Sequence, residues 1–126
     1  MNAALLVLLL SATDLTAEVK ARLAEQDVIT GTFEQSKVVK GFNTLFASVL
    51  QNGGKVAGTP ATVLLAGDDA GAVAQVEALV KAAGLKAIVA GPLAAARNIE
   101  AVAALNIGLG YGQGKGTDIA PTWVGI

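Results

Sequence analysis

Neither cysteine nor histidine occurs in the 126 residues of this chain. The first absence excludes disulfides, thiolate nucleophiles and Cys-ligated metals. The second removes the commonest general base and the commonest zinc ligand. Chemistry must then rest on carboxylates, lysines, hydroxyls, backbone groups or a borrowed cofactor. No catalytic side chain and no metal-ligand set stands out. Charge is scarce: charged residues are 15% of the chain, the net charge is −1 and no basic patch is visible. Nucleic acid is therefore not an expected partner. A stretch long enough to cross a bilayer, about 20 apolar residues, is also missing. The run from Ala3 to Leu10 has no basic residue ahead of it. It reads as a buried parallel strand rather than a signal peptide. The expectation is a cytoplasmic protein without a membrane partner.

Hydrophobic residues are abundant at 53%, which excludes disorder. The length fits one domain covering residues 1–126. Apolar strands alternate with helical spacing along the chain. Leu5 to Leu10, Val28 to Thr30, Lys37 to Lys40, Ala61 to Ala66 and Leu85 to Ala90 read as five strands. Leu15, Val19 and Leu23 lie on one helical face, with Asp14 as the N-cap. Phe42, Leu45, Phe46, Val49 and Leu50 form a second apolar face, stopped at Asn52-Gly53-Gly54. Val73, Val76, Val80 and Ala83 form a third, with Asp68 or Asp69 as cap and Gly84 ending the helix. Ile99, Val102, Leu105 and Leu109 point inward from a last helix begun by Pro92. This alternation predicts an α/β fold: an open, mostly parallel sheet of about five strands with helices on both faces. The last strand is the candidate for an antiparallel edge.

Several motifs carry little chemistry. Gly108 to Gly116 fits neither the dinucleotide fingerprint nor the Walker pattern. It reads as a C-terminal turn packed against a neighbour, including a second subunit. Asp68-Asp69 reads as a cap rather than a metal pair. Arg97 and Glu100 are spaced for a surface ion pair, and Lys40 ends a strand as a solvated cation. Tyr111 and Trp123 serve as core plugs or interface anchors. Two polar clusters differ from these. Ser11-Ala12-Thr13 and Asn43-Thr44 each fall where a strand end meets a predicted helix start. If their strands are neighbours, hydroxyl, amide and free N–H groups converge on one crevice, the usual ligand position in open α/β sheets. Ordinary capping would use the same groups.

The segment Val38-Val39-Lys40-Gly41-Phe42-Asn43-Thr44 resembles the "VVKAFNT" segment of the deazaflavin-dependent NADP reductase family. That family also takes in the oxidoreductase domains of metalloreductases. Further similarities follow in order at Ala66-Gly67-Asp68-Asp69, Gly84-Leu85, Ala90-Gly91-Pro92-Leu93, Ala96-Arg97, Glu100, Tyr111-Gly112-Gln113-Gly114 and Gly116-Thr117. The resemblance implies a partial Rossmann-like fold, NADP as cofactor, and hydride transfer between nicotinamide and a deazaflavin or flavin. By position it implies that Ser11, Ala12, Thr13, Asn43 and Thr44 are the cofactor-binding residues. Gly41 replaces the family's alanine, which lowers helix propensity there. The family opens with a strand, a glycine-rich turn and a helix that hold the pyrophosphate, and this chain resembles the part beyond them. The chain alone is therefore expected to bind nucleotide weakly and to be impaired or inactive. A small-molecule cofactor and a homo-oligomer are the expected partners. The alternatives are a non-catalytic dimerisation module and an unrelated small-molecule-binding α/β domain.

Overall fold

The computed structural model describes the backbone of Leu5–Leu8 and all of residues 36–126. Ser11, Ala12, Thr13, the Asp14 cap, the Leu15–Val19–Leu23 helix and the Val28–Thr30 strand lie outside the described residues. The elements are β1 (Leu5–Leu8), β2 (Lys37–Lys40), α1 (Ala47–Gln51), β3 (Lys55–Val56), β4 (Thr59–Pro60), β5 (Thr62–Gly67), α2 (Ala70–Ala82), β6 (Lys86–Gly91) and α3 (Ala96–Ile107). A 3₁₀ turn at Leu93–Ala95 leads into α3, and a π-helical turn at Gly108–Gly112 continues it.

The main sheet among the described residues has four strands in the order β1-β2-β5-β6. It is mixed rather than mostly parallel. β1 pairs parallel with β2 and β5 parallel with β6, but β2 and β5 run antiparallel. The reversal falls in the middle of the sheet; the last strand, expected as the antiparallel edge, is parallel to its neighbour. The cause is the short link after β2. A ten-residue helix starting near Phe42 would rise about 15 Å and could carry the chain back along the sheet. The observed α1 has five residues and rises about half that. A tight hairpin follows, β3 against β4, turned by Ala57 and Gly58 at φ 49° and 77°. The chain thus enters β5 from the rim at which it left β2.

The two faces of the sheet are unequal. On one, α2 lays Val73, Val76 and Val80 against Val39, Val63 and Leu65, and the core also takes in Phe42, Leu45, Val49 and Leu85. On the other, α3 brings Ile99 against Leu64 and Ala66. Two predicted inward stripes are narrower than expected. Ala83 is exposed, because the chain already leaves α2 there. Leu105 is 65% exposed and Leu109 40% exposed. The buried positions of α3 are Ile99, Ala103 and Asn106, so its last inward side chain is an amide.

Candidate functional site

β2 delivers the chain to the site. Val39 is buried in the sheet, and Gly41 follows at the point of closest approach to β5. A Cβ on Gly41 would lie 2.7 Å from Leu65 Cδ2. A side chain there would thus press on the Leu65 methyl, and Gly41 lies in the close strand contact rather than at a helix start. Phe42 then adopts φ 66°, a left-handed backbone that costs a bulky residue about 1–3 kcal/mol. Burial of its ring offsets this, at about 1.5–3 kcal/mol for a side chain of that kind. The twist ends the extended strand and turns the chain, with Leu45 N–H donating to the Phe42 carbonyl at 3.3 Å. The helix predicted from Phe42 onward consequently begins only at Ala47.

Asn43 and Thr44 occupy this turn. Neither caps α1, whose N-cap is Phe46 with no side-chain hydrogen bond. The capping explanation therefore does not account for them. Asn43 Oδ1 and Thr44 Oγ1 are buried and have no hydrogen-bond partner among the described residues. Leaving such a group unpaired costs about 1–3 kcal/mol, so each needs a reason.

The facing wall comes from the end of α3. Asn106 is 6% exposed, and its side-chain nitrogen donates to the Thr44 carbonyl at 3.0 Å. Beyond it the helix widens into the π-helical turn, a feature often found at functional sites. Gly110 is the contact point: a Cβ there would come within 2.6 Å of the Phe46 ring and 2.9 Å of the Gly116 carbonyl oxygen. The Phe46 and Tyr111 rings meet edge to face at 5.5 Å and 88°. The glycine-rich stretch thus packs against Phe46 of its own chain. Tyr111 is neither a plug nor deeply buried, at 70% exposure. Sequence reasoning missed Asn106, although a signal existed. It stands seven residues after Ile99, on the same helical face, where the period calls for an apolar side chain.

The two walls enclose a cavity of about 270 Å³ lined by Phe42, Asn43, Thr44, Phe46, Asn106 and Tyr111 among others. Pockets for whole drug-sized ligands measure roughly 300–1,000 Å³. The cavity is therefore scaled to one ring system or headgroup. Its lining residues combine aromatic rings with Asn43 and Thr44, whose side-chain oxygens are buried just behind its surface without partners among the described residues. The neighbouring strand contributes to this rim as well: Leu8 lies opposite Lys40, so the carboxyl ends of β1 and β2 are side by side.

Other candidate residues are accounted for by structure. Asp69 caps α2 by accepting from Ala72 N–H at 2.8 Å, and it pairs with Lys37 at 3.2 Å. The backbone N–H of Ala72 and then Lys37 hold its carboxyl below the usual range. Asp68 accepts from Leu93 N–H at 2.9 Å. Because β2 and β5 are antiparallel, this pair of acids lies at the β2 start, away from Asn43 and Thr44. Glu100 pairs with Lys40 at 3.3 Å rather than with Arg97, since the Lys40 stem runs half-buried toward α3. Lys40 is thus tied to α3 instead of free in solvent.

A mixed α/β sheet with a polar turn at a strand end is the arrangement of small-molecule-binding α/β domains. A solved structure narrows this class. Over 81% of its length the chain is similar to a protein from Arthrobacter sp. FB24 assigned as an F420-dependent NADP reductase, with 33% identity and a TM-score of 0.66. The chain spans 46% of that protein. It also overlaps a hypothetical protein, SMa0349, from Sinorhizobium meliloti, with 32% identity, a TM-score of 0.47 and coverage of 55% and 34% of the two chains. No family model and no curated protein matches the chain. The first likeness supports a Rossmann-like, oxidoreductase-type fold. No described helix is long and apolar enough to cross a membrane.

Proposed function

We propose that this chain carries the ring-binding part of an NADP(H)-dependent oxidoreductase site, in which the Asn43–Thr44 turn holds the nicotinamide close to a deazaflavin or flavin. The observation that carries this is the pair of buried, unpaired oxygens on that turn. A carboxamide-bearing ring supplies N–H donors for Asn43 Oδ1 and an acceptor for Thr44 Oγ1. The cavity is sized for such a headgroup and not for a whole dinucleotide. The likeness to the Arthrobacter protein supports the same reading. The resemblance adds Ser11, Ala12 and Thr13 to the cofactor-binding residues, and these lie outside the described residues. When bound, the nicotinamide supplies the hydride. The residues of this chain bind and orient the ring and keep water from it.

Titration of the chain with NADPH, read by nicotinamide fluorescence, tests the proposal. Saturable binding is expected, weakened about tenfold (~1.4 kcal/mol) or more by Asn43→Ala or Thr44→Val. Absence of saturation up to millimolar NADPH, or equal affinity in both variants, overturns it. A second reading, association between copies, is favoured by one observation: Leu105, Ile107 and Leu109 are 65%, 50% and 40% exposed at the end of one helix. It predicts a homodimer that Leu105→Glu dissociates. A clean monomer of the native chain in size-exclusion chromatography rules it out.

A further inference from the structure

The direction in which Asn43 and Thr44 present their oxygens is set by something, and the turn does not set it alone. Within the turn the bond from Leu45 N–H to the Phe42 carbonyl is long, at 3.3 Å. No side-chain cap ties the turn to α1. Among the described residues, the one buried side-chain bond reaching it comes from 62 residues away, from Asn106. The partner is a carbonyl oxygen, so the amide nitrogen must face it and the donor is unambiguous. Asn106 stands on the last turn of α3, and the next residues leave the α-helix for the π-helical turn. The wider turn places Gly110 on the Phe46 ring and Tyr111 beside it. The same few residues therefore grip the site turn at both ends: Asn106 at Thr44, and the π-helical turn at Phe46.

We infer that Asn106 is a positioning residue of the cavity, a latch that fixes the Asn43–Thr44 turn in its ligand-receiving orientation. The inference rests on the reading of that turn as the ring-binding site. A buried amide on an otherwise apolar helix face is costly unless bonded. The bond satisfies the amide and the buried Thr44 carbonyl together, and it is directional where an apolar contact is not. What the amide adds is direction. It pins one carbonyl, and the two neighbouring side chains inherit a fixed orientation.

The test uses Asn106→Leu in the full chain, with two readouts. The first needs no cofactor: the backbone amide signals of Asn43 to Phe46 in nitrogen–proton correlation spectra. In Asn106→Leu they are expected to shift or broaden, while the melting temperature falls by no more than the loss of one buried hydrogen bond explains and the signals of α2 stay in place. The second is NADPH affinity, expected to fall about tenfold with Asn106→Leu. Should Asn106→Leu not fold, Asn106→Asp keeps the shape but replaces the donor with a carboxylate facing a carbonyl. Acidification restores an O–H donor to that variant, and the turn signals are expected to return toward their native positions. Unmoved turn signals in the folded variant overturn the latch, as does NADPH affinity within twofold of the native chain. A native chain that ignores NADPH while its turn signals still depend on Asn106 would overturn only the cofactor reading.

Discussion

The two faces of the sheet are built on different principles. The α2 face is closed by aliphatic interdigitation, with Val63, Leu65 and Val80 at 0% exposure. The α3 face is closed by three buried residues, Leu64, Ala66 and Ile99, and keeps an apolar cavity of about 260 Å³ beside them. Its extra fastenings are polar and local: the Asn106 latch, the Lys40–Glu100 pair and the C-terminal Thr122 bonded to Thr62 at 3.0 Å. A face packed at close to crystal density holds the fold rigidly but leaves no room for a ligand. A face held by a few directional bonds leaves a cavity and can hold polar groups in set positions. In this molecule the close packing lies on the α2 side, and the candidate site sits at its margin, where Phe42 and Leu45 of that core meet Asn106 of α3.

The sharpest way to break that division is truncation on each face. Leu65→Ala removes a fully buried side chain from a close-packed cluster, and about 2–5 kcal/mol of unfolding free energy should be lost. Ile99→Ala sits beside a cavity already present, where fewer contacts are forfeited, and its cost should fall at the low end of that range. Urea denaturation of both variants measures the difference. Equal losses would mean the two faces share the load. Gly110→Ala comes next. The new methyl would lie 2.6 Å from the Phe46 ring, and overpacking of this kind costs about 1–3 kcal/mol. Because Phe46 lines the cavity, NADPH affinity should fall together with the melting temperature. Stability lost with affinity intact would detach the π-helical turn from the site.

Much of the close-packed face was legible in the sequence. Val73, Val76 and Val80 announce it by helical spacing, and the pair Asp68-Asp69 announces the helix start, with Asp69 the residue that caps it. The strands at Lys37–Lys40, Thr62–Gly67 and Lys86–Gly91 follow from their apolar runs within a residue or two. The site was legible only in part. Asn43 and Thr44 were marked by their place after a strand, but the apolar spacing from Phe42 to Leu50 hid the turn containing them. That spacing satisfies a helix, yet Phe42 and Leu45 reach the core from a turn instead, and periodicity does not distinguish these. The antiparallel join of β2 and β5 was hidden for the same reason, since it depends on how short α1 is. Asn106 is hidden in the sequence because its neighbours Leu105 and Leu109 look more like core than it does. The choice between them depends on how α3 is rotated, which the sheet decides.

Thr44→Val separates the two faces more finely, because its two effects should have opposite signs. Val nearly matches Thr in shape, and the change removes a buried hydroxyl that has no partner among the described residues. The folded chain should gain about 1 kcal/mol, at the low end of the cost of an unpaired buried group. The gain should come with weaker NADPH binding, the usual exchange when a site holds unsatisfied groups for its ligand. Thermal melting with and without NADPH measures both effects. A loss of stability would mean that the hydroxyl is already satisfied in the free protein.

The smallest effect belongs to Asp69, the polar residue on the well-packed side. Its carboxylate is fully used, by Ala72 N–H first and Lys37 second, and both interactions favour the charged form. A carboxyl whose pKa is lowered on folding adds stability above its ordinary range and loses it as the pH falls through the lowered value. Asp69→Asn keeps a capping oxygen but cannot titrate. The native chain should therefore melt slightly above Asp69→Asn near pH 7. That margin should shrink as the pH falls below about 4, the ordinary carboxylate value. A margin independent of pH would show that the cap acts through its shape alone. In that case the pairing of Lys37 with Asp69 at the far rim contributes nothing measurable, as is common for exposed ion pairs.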